Sequence, residues 1–172
     1  MSLAKNPSTG KVVELLDLRT DLDLPTLEFL TSPQDPQNDF CVLRGTLPPG
    51  VSVPLHSHAD TEDFVVISGE LEALRQDSQG HTWIKAKAND YVHVPSNARH
   101  AWRNVSGAPA VVLVITTKKL AQFFQEAGRP KTGTPLPVTP GDLERFAAIS
   151  ARYGYWNASP EENALVGIHL SS

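Results

Sequence analysis

Between Asp39 and Thr116 the chain is a succession of short apolar and β-branched runs, each cut by a cluster of Gly, Pro, Asn, Asp or Ser. The runs predict strands over 39–47, 51–58, 62–68, 70–75, 81–85, 90–94, 100–104 and 110–116. Turns fall at Gly69-Glu70, Asp77-Ser-Gln-Gly80, Ala88-Asn89 and Ser106-Gly-Ala-Pro109. Many short strands without intervening helical runs predict a closed or double-sheet β architecture. Upstream, residues 11–30 alternate loosely, Thr26–Leu30 reads as a short strand, and Thr31–Asn38 is a turn-rich linker with two prolines.

Beyond Thr117 the apolar spacing becomes helical. Leu120, Phe123, Phe124 and Ala127 share one side of a helix over 118–127, closed by Gly128. They read as helix-packing residues rather than pocket residues. Pro130, Pro135, Pro137 and Pro140 predict an extended crossing over 129–141. A second helix is predicted over 142–153, ended by Gly154, and Ser159-Pro-Glu-Glu can cap a short third one. The expected organisation is an arm (1–38), a mainly all-β barrel (39–116) and a helical extension packed on it (117–172).

The chemistry is concentrated in two stretches. His56 and His58 are two residues apart, so in an extended strand both imidazoles project from one face and can share a metal ion. Glu62 opens the next strand, and a tight turn would bring its carboxylate back toward them. His100 follows a proline-containing turn and is the candidate fourth ligand. By strand parity Phe64 shares the face of Glu62, and Trp102 that of His100, so both are candidate substrate-binding walls. His81, His93 and His169 carry no such pattern.

These stretches resemble the two cupin motifs. The first matches at Gly50, His56, His58, Glu62 and Gly69, and the second at Pro95, His100 and Asn104. Asn89 and Asn97 stand where the family usually has glycine, and asparagine tolerates the left-handed backbone those positions need. The resemblance implies a cupin-type double-stranded β-helix, or jelly-roll, barrel with short C-terminal helices. It also implies one divalent transition metal (Fe, Ni, Mn, Co, Cu or Zn) held by His56, His58, Glu62 and His100. The tail, from Phe123–Pro130 through the proline-rich crossing to Tyr153-Gly154, is similar to that of single-domain quercetin 2,3-dioxygenase-like cupins. That likeness implies a dioxygenase using O₂ on a small aromatic or enolisable substrate, with Glu62 also catalytic as the base. An isomerase or lyase acting on a small polar acid or sugar, and a non-catalytic small-molecule-binding domain, are the alternatives.

Composition narrows the partners. The net charge is −4 and no Lys/Arg stripe is present, which argues against nucleic acid and anionic membranes. No apolar run approaches membrane-spanning length. Cys41 is the single cysteine, so no intrachain disulfide can form. Residues 1–7 lack the apolar core of a signal peptide, and a cytoplasmic location is expected. A homodimer is expected from the family resemblance and from the need to cover strands 11–47 and the helices' apolar faces.

Overall fold

The computed structural model describes residues 11–15, 23–78, 80–134 and 136–170. Residues 1–10 and 16–22 of the expected arm, Gln79, Pro135 and residues 171–172 lie outside these. The elements in chain order are β1 (Val12–Glu14), β2 (Thr26–Phe29), β3 (Phe40–Leu47), β4 (Ser52–Ser57), β5 (Glu62–Ser68), β6 (Glu70–Asp77), β7 (Gly80–Lys87) and β8 (Tyr91–Val94). They continue with β9 (His100–Arg103), β10 (Ala110–Thr117), α1 (Lys118–Ala127), β11 (Arg129–Pro130), α2 (Pro140–Tyr153), β12 (Trp156–Asn157) and α3 (Pro160–Leu165). Among the described residues no helix is long and apolar enough to cross a membrane.

Two antiparallel sheets face each other, as expected of a double-stranded β-helix. One has the order β11-β1-β2-β3-β10-β5-β8 and the other β12-β4-β9-β6-β7. Period-two burial drives this: alternate residues of β3 and β10 point inward, and Leu43, Val114 and Phe64 lie in register across β3, β10 and β5. Phe29, Leu43, Val51 and Val66 are fully buried between the sheets.

The turns explain the motif residues that carry no chemistry. Gly69 has φ +74°, and a Cβ there would lie 2.4 Å from the Pro109 carbonyl oxygen, so only glycine fits. Asn89 (φ +75°) and Asn97 (φ +61°) adopt the left-handed backbone expected of them. Asn104 is buried and saturated. Its amide NH₂ donates to the carbonyls of Leu47 (2.9 Å) and Ala108 (2.8 Å), and its Oδ1 accepts from the Ser106 N–H (2.9 Å) and hydroxyl (2.7 Å).

The C-terminal segment differs in detail from expectation. The crossing after α1 is not wholly extended connection: Arg129–Pro130 pairs with β1, and Arg129 bridges Glu14 at 3.1 Å. Helix α2 starts at Pro140, earlier than expected. Thr139 and Asp142 form a reciprocal capping box, and proline is favourable in the first turn because its missing N–H would have no partner there. Strand β12 was not expected; it pairs with β4. Strands 11–47 find cover within the chain, β1 against β11 and β3 against β10.

Candidate metal centre

Each sheet delivers part of one cluster. In the smaller sheet, His56 of β4 and His100 of β9 are register partners, which stacks their rings 4.1 Å apart. His58 lies one residue past β4, and its ring is 5.6 Å from that of His56 and 5.0 Å from that of His100. Glu62 enters from β5 in the facing sheet. His58, Glu62 and His100 are almost fully buried, with exposures of 4%, 3% and 4%.

The three imidazoles are held alike. Each Nδ1 is bonded to a main-chain carbonyl: His56 to Pro54 (2.7 Å), His58 to Asp60 (2.8 Å) and His100 to Ala98 (2.9 Å). A carbonyl can only accept, so Nδ1 carries the proton and the neutral ring presents its lone pair at Nε2. One potential ligand nitrogen from each ring lies within 4.8 Å of the other two. The buried Nε2 atoms of His58 and His100 have no hydrogen-bond partner. Oε2 of Glu62 stands 3.4 Å and 3.5 Å from them. Two ligands on one metal about 2.1 Å away are themselves roughly 3–3.5 Å apart. Convergent, unpartnered lone pairs beside a carboxylate therefore fit a divalent cation. The three histidines form the group able to hold it, with Glu62 against two of them.

The electrostatics follow from burial and crowding. Burial, reinforced by the neighbouring His100 and His58, pushes the pKa of His56 down to about 3, so this ring stays neutral. Burial also opposes charge on His58, but the adjoining Glu62 carboxylate outweighs it and raises the pKa of that ring above its ordinary value. Burial alone would raise the pKa of Glu62. The His100 and His58 rings overcome this and bring it to about 2.

An apolar cavity of about 90 Å³ opens from the cluster. His56 and Glu62 line it beside Phe64 and Trp102, whose rings are 4.3 Å apart. Phe124 packs against Phe123 in the helix cluster, as expected, and its ring also lines this cavity. Leu15 lines it as well. Neither carried a local signal in the sequence. A second, larger cavity of about 650 Å³ shares Trp102 and reaches His100. It forms where β6 leaves β9: these strands pair only at Glu72↔Arg103 and Ala73↔Trp102. Arg75, Lys85, His93 and Arg99 line this cleft.

Against known proteins, the cupin domain family matches residues 43–116, the stretch carrying all four cluster residues. Over those residues the chain carries a cupin domain. This cupin is similar to quercetin 2,3-dioxygenase of Bacillus subtilis (strain 168), at 28% identity over 122 residues. That alignment covers 70% of this chain but 35% of the relative, so the chain spans about a third of that enzyme's length. Among solved structures it is similar to a predicted oxalate decarboxylase from Thermotoga maritima (24% identity, 54% of this chain and 79% of that one, TM-score 0.47). It is also similar to the cupin domain of an XRE family transcriptional regulator from Enterobacter cloacae (27% identity, 54% and 95%, TM-score 0.44).

Proposed function

We propose that this cupin is a metal-dependent dioxygenase acting on a small aromatic or enolisable substrate. The observation that carries the reading is the convergence of three Nε2 lone pairs and one carboxylate at the end of an apolar cavity. His56, His58, His100 and Glu62 would hold a divalent transition metal, which when bound supplies a Lewis acid for a substrate hydroxyl and the redox partner for O₂. The likeness to quercetin 2,3-dioxygenase supports the same reaction class.

The chain's own residues then have definable tasks. Phe64 and Trp102 exclude water and present flat apolar faces to a ring or an enol. Glu62 takes the hydroxyl proton of the substrate: the O–H bond breaks, its electron pair stays on the substrate oxygen, and the proton passes to a carboxylate oxygen. Held as a ligand, the carboxylate would be a poor base, because the cation would draw on the same electron pairs. Turned from the cation into the apolar cavity it loses that partner and keeps only the burial, which makes it more basic. The cavity is smaller than the roughly 150 Å³ that encloses a benzene. A small enolisable compound therefore suits it better than a flavonol, which would have to part the walls.

The cleft favours a second reading. Lys85, paired with Glu70, and Arg99, lying over Trp156, line the cleft that reaches His100 and give it a cationic side suited to a carboxylate or phosphate, and 650 Å³ is ample for such a ligand. A metal-dependent isomerase or lyase acting on a polar acid would use that side.

Oxygen-uptake screening of the metal-loaded protein with diketones, small enols and flavonols tests the first reading, with Glu62→Gln as control. The variant is expected to keep most of its metal and lose about 10²–10⁴-fold in turnover, the usual contribution of positioned proton transfer. Full metal with near-normal kcat would remove Glu62 as the base. Turnover of an acid without oxygen uptake would replace the dioxygenase by the second reading.

A further inference from the structure

Asp60 lies between His58 and Glu62, is buried, and has no task in the metal reading above. Both of its carboxylate oxygens are engaged. The Tyr155 hydroxyl donates to Oδ2 at 2.6 Å, and the Thr117 hydroxyl donates to Oδ1. Among the described residues no Lys or Arg pairs with it. The two hydroxyls hold it instead, one of them from Thr117, the N-cap of α1.

The main chain of the same residue holds a histidine. The Asp60 carbonyl accepts the Nδ1 proton of His58 at 2.8 Å, and the Tyr155 ring sits 5.4 Å from that imidazole. The turn is pinned further by the Thr116 hydroxyl on the Thr61 carbonyl (2.9 Å) and by the Asn97 N–H on the His58 carbonyl (2.7 Å). A connected path therefore runs from Tyr155 and Thr117, through the Asp60 side chain and then its carbonyl, to the direction of the His58 Nε2 lone pair.

We propose that Asp60, clamped by Tyr155 and Thr117, is a positioning residue for the metal centre: it fixes the turn whose carbonyl aims the His58 ring at the cation. The proposal rests on the reading of the histidines and Glu62 as ligands.

The test is titration of the full chain and its Asp60→Asn and Tyr155→Phe variants with cobalt(II), well below their melting temperatures. Affinity is read by chelator competition, and ligand geometry from the cobalt visible bands. The wild type is expected to take one equivalent. Asp60→Asn should bind about 10–100-fold more weakly, as outer-shell substitutions typically do, with shifted bands. Tyr155→Phe should move both readouts in the same direction by less. The double variant should be no worse than Asp60→Asn, because both act through one path. A residue that only supports the fold would lower the melting temperature and leave the folded protein's affinity and bands alone. That result in both variants overturns the proposal, and Tyr155→Phe decides alone if Asp60→Asn does not fold. A wild type that takes up no cobalt overturns the metal reading itself and this proposal with it, whatever stands at Asp60.

Discussion

Asn104 belongs to the second motif yet touches none of the cluster residues, so its role can be separated from the chemistry by measurement. Its side chain makes four hydrogen bonds, to Leu47, Ala108 and twice to Ser106, while being 1% exposed. Asn104→Ala removes all four. Each is worth about 0.5–1.5 kcal/mol net, and a buried group left without a partner costs more. Two of the orphans escape the full penalty: the Ser106 hydroxyl, released from Asn104, can turn its one proton to the Ala108 carbonyl 3.0 Å away, and Ser106 itself is half-buried and can reach water. The Leu47 carbonyl is the exception, because that bond is buried. The net expectation is a loss of about 2–4 kcal/mol, a substantial part of the typical 5–15 kcal/mol of a domain. For a chain of this size that is roughly 4–16 °C in melting temperature. Urea denaturation followed by circular dichroism should show a lower midpoint with an unchanged slope, and the folded variant should take up metal as the wild type does. Asn104→Asp sharpens the argument. It keeps the acceptor for Ser106 but turns a second oxygen on the Leu47 and Ala108 carbonyls. It should be at least as damaging as alanine at neutral pH and partly relieved as acid restores a proton. A loss below about 0.5 kcal/mol, within the range of ordinary surface substitutions, would refute this account of the residue.

Three further outcomes are expected. His56→Ala combined with His58→Ala should abolish stoichiometric divalent metal, measured by elemental analysis after dialysis; one retained equivalent would contradict the ligand assignment. Metal at about 100 times its dissociation constant should stabilise the wild type by about 2.7 kcal/mol, so verified chelation should lower the melting temperature and leave the double variant unmoved. At the start of α2, the Thr139 N–H and hydroxyl donate to the Asp142 carboxylate (2.9 and 2.8 Å) and hold its pKa below the usual carboxylate value. Because the folded-state pKa is depressed, that stabilisation is present above the unfolded value of about 3.9 and is lost as the pH falls through the folded one. The gap in urea midpoint between wild type and Asp142→Asn should therefore narrow in acid; a gap independent of pH would contradict the capping role.

Local signals made much of the barrel legible. Alternating burial along β3, β5 and β10 follows the sequence's own period, and the close spacing of His56, His58 and Glu62 puts the three within reach of one another across a single turn. Asparagine at 89 and 97 announced positive φ through its tolerance of that region. What escaped depends on distant partners. Phe124 has the helical spacing of its neighbours and gives no hint that it faces the cavity, since only the placement of α1 across the barrel decides that. Asp60 looks like an ordinary turn residue until Tyr155, 95 positions later, is laid against it. Strand β12 is two residues long, too short for any periodicity, and exists because β4 offers it an edge.

That edge has a consequence for how the protein is made. The strand bearing His56 is completed by the far end of the chain: Trp156 and Asn157 pair with Ser57 and His56, and Asn163 accepts from the Leu55 N–H at 2.8 Å across 108 positions. At about 5–20 residues per second, synthesis alone separates those partners by roughly 5–20 s. Through that interval the histidine strand is an open edge, with unsatisfied main-chain groups and imidazoles not yet clamped. The centre is thus assembled late in the birth of the molecule, and the nascent chain must reach Asn163 before it can offer a metal a finished cradle.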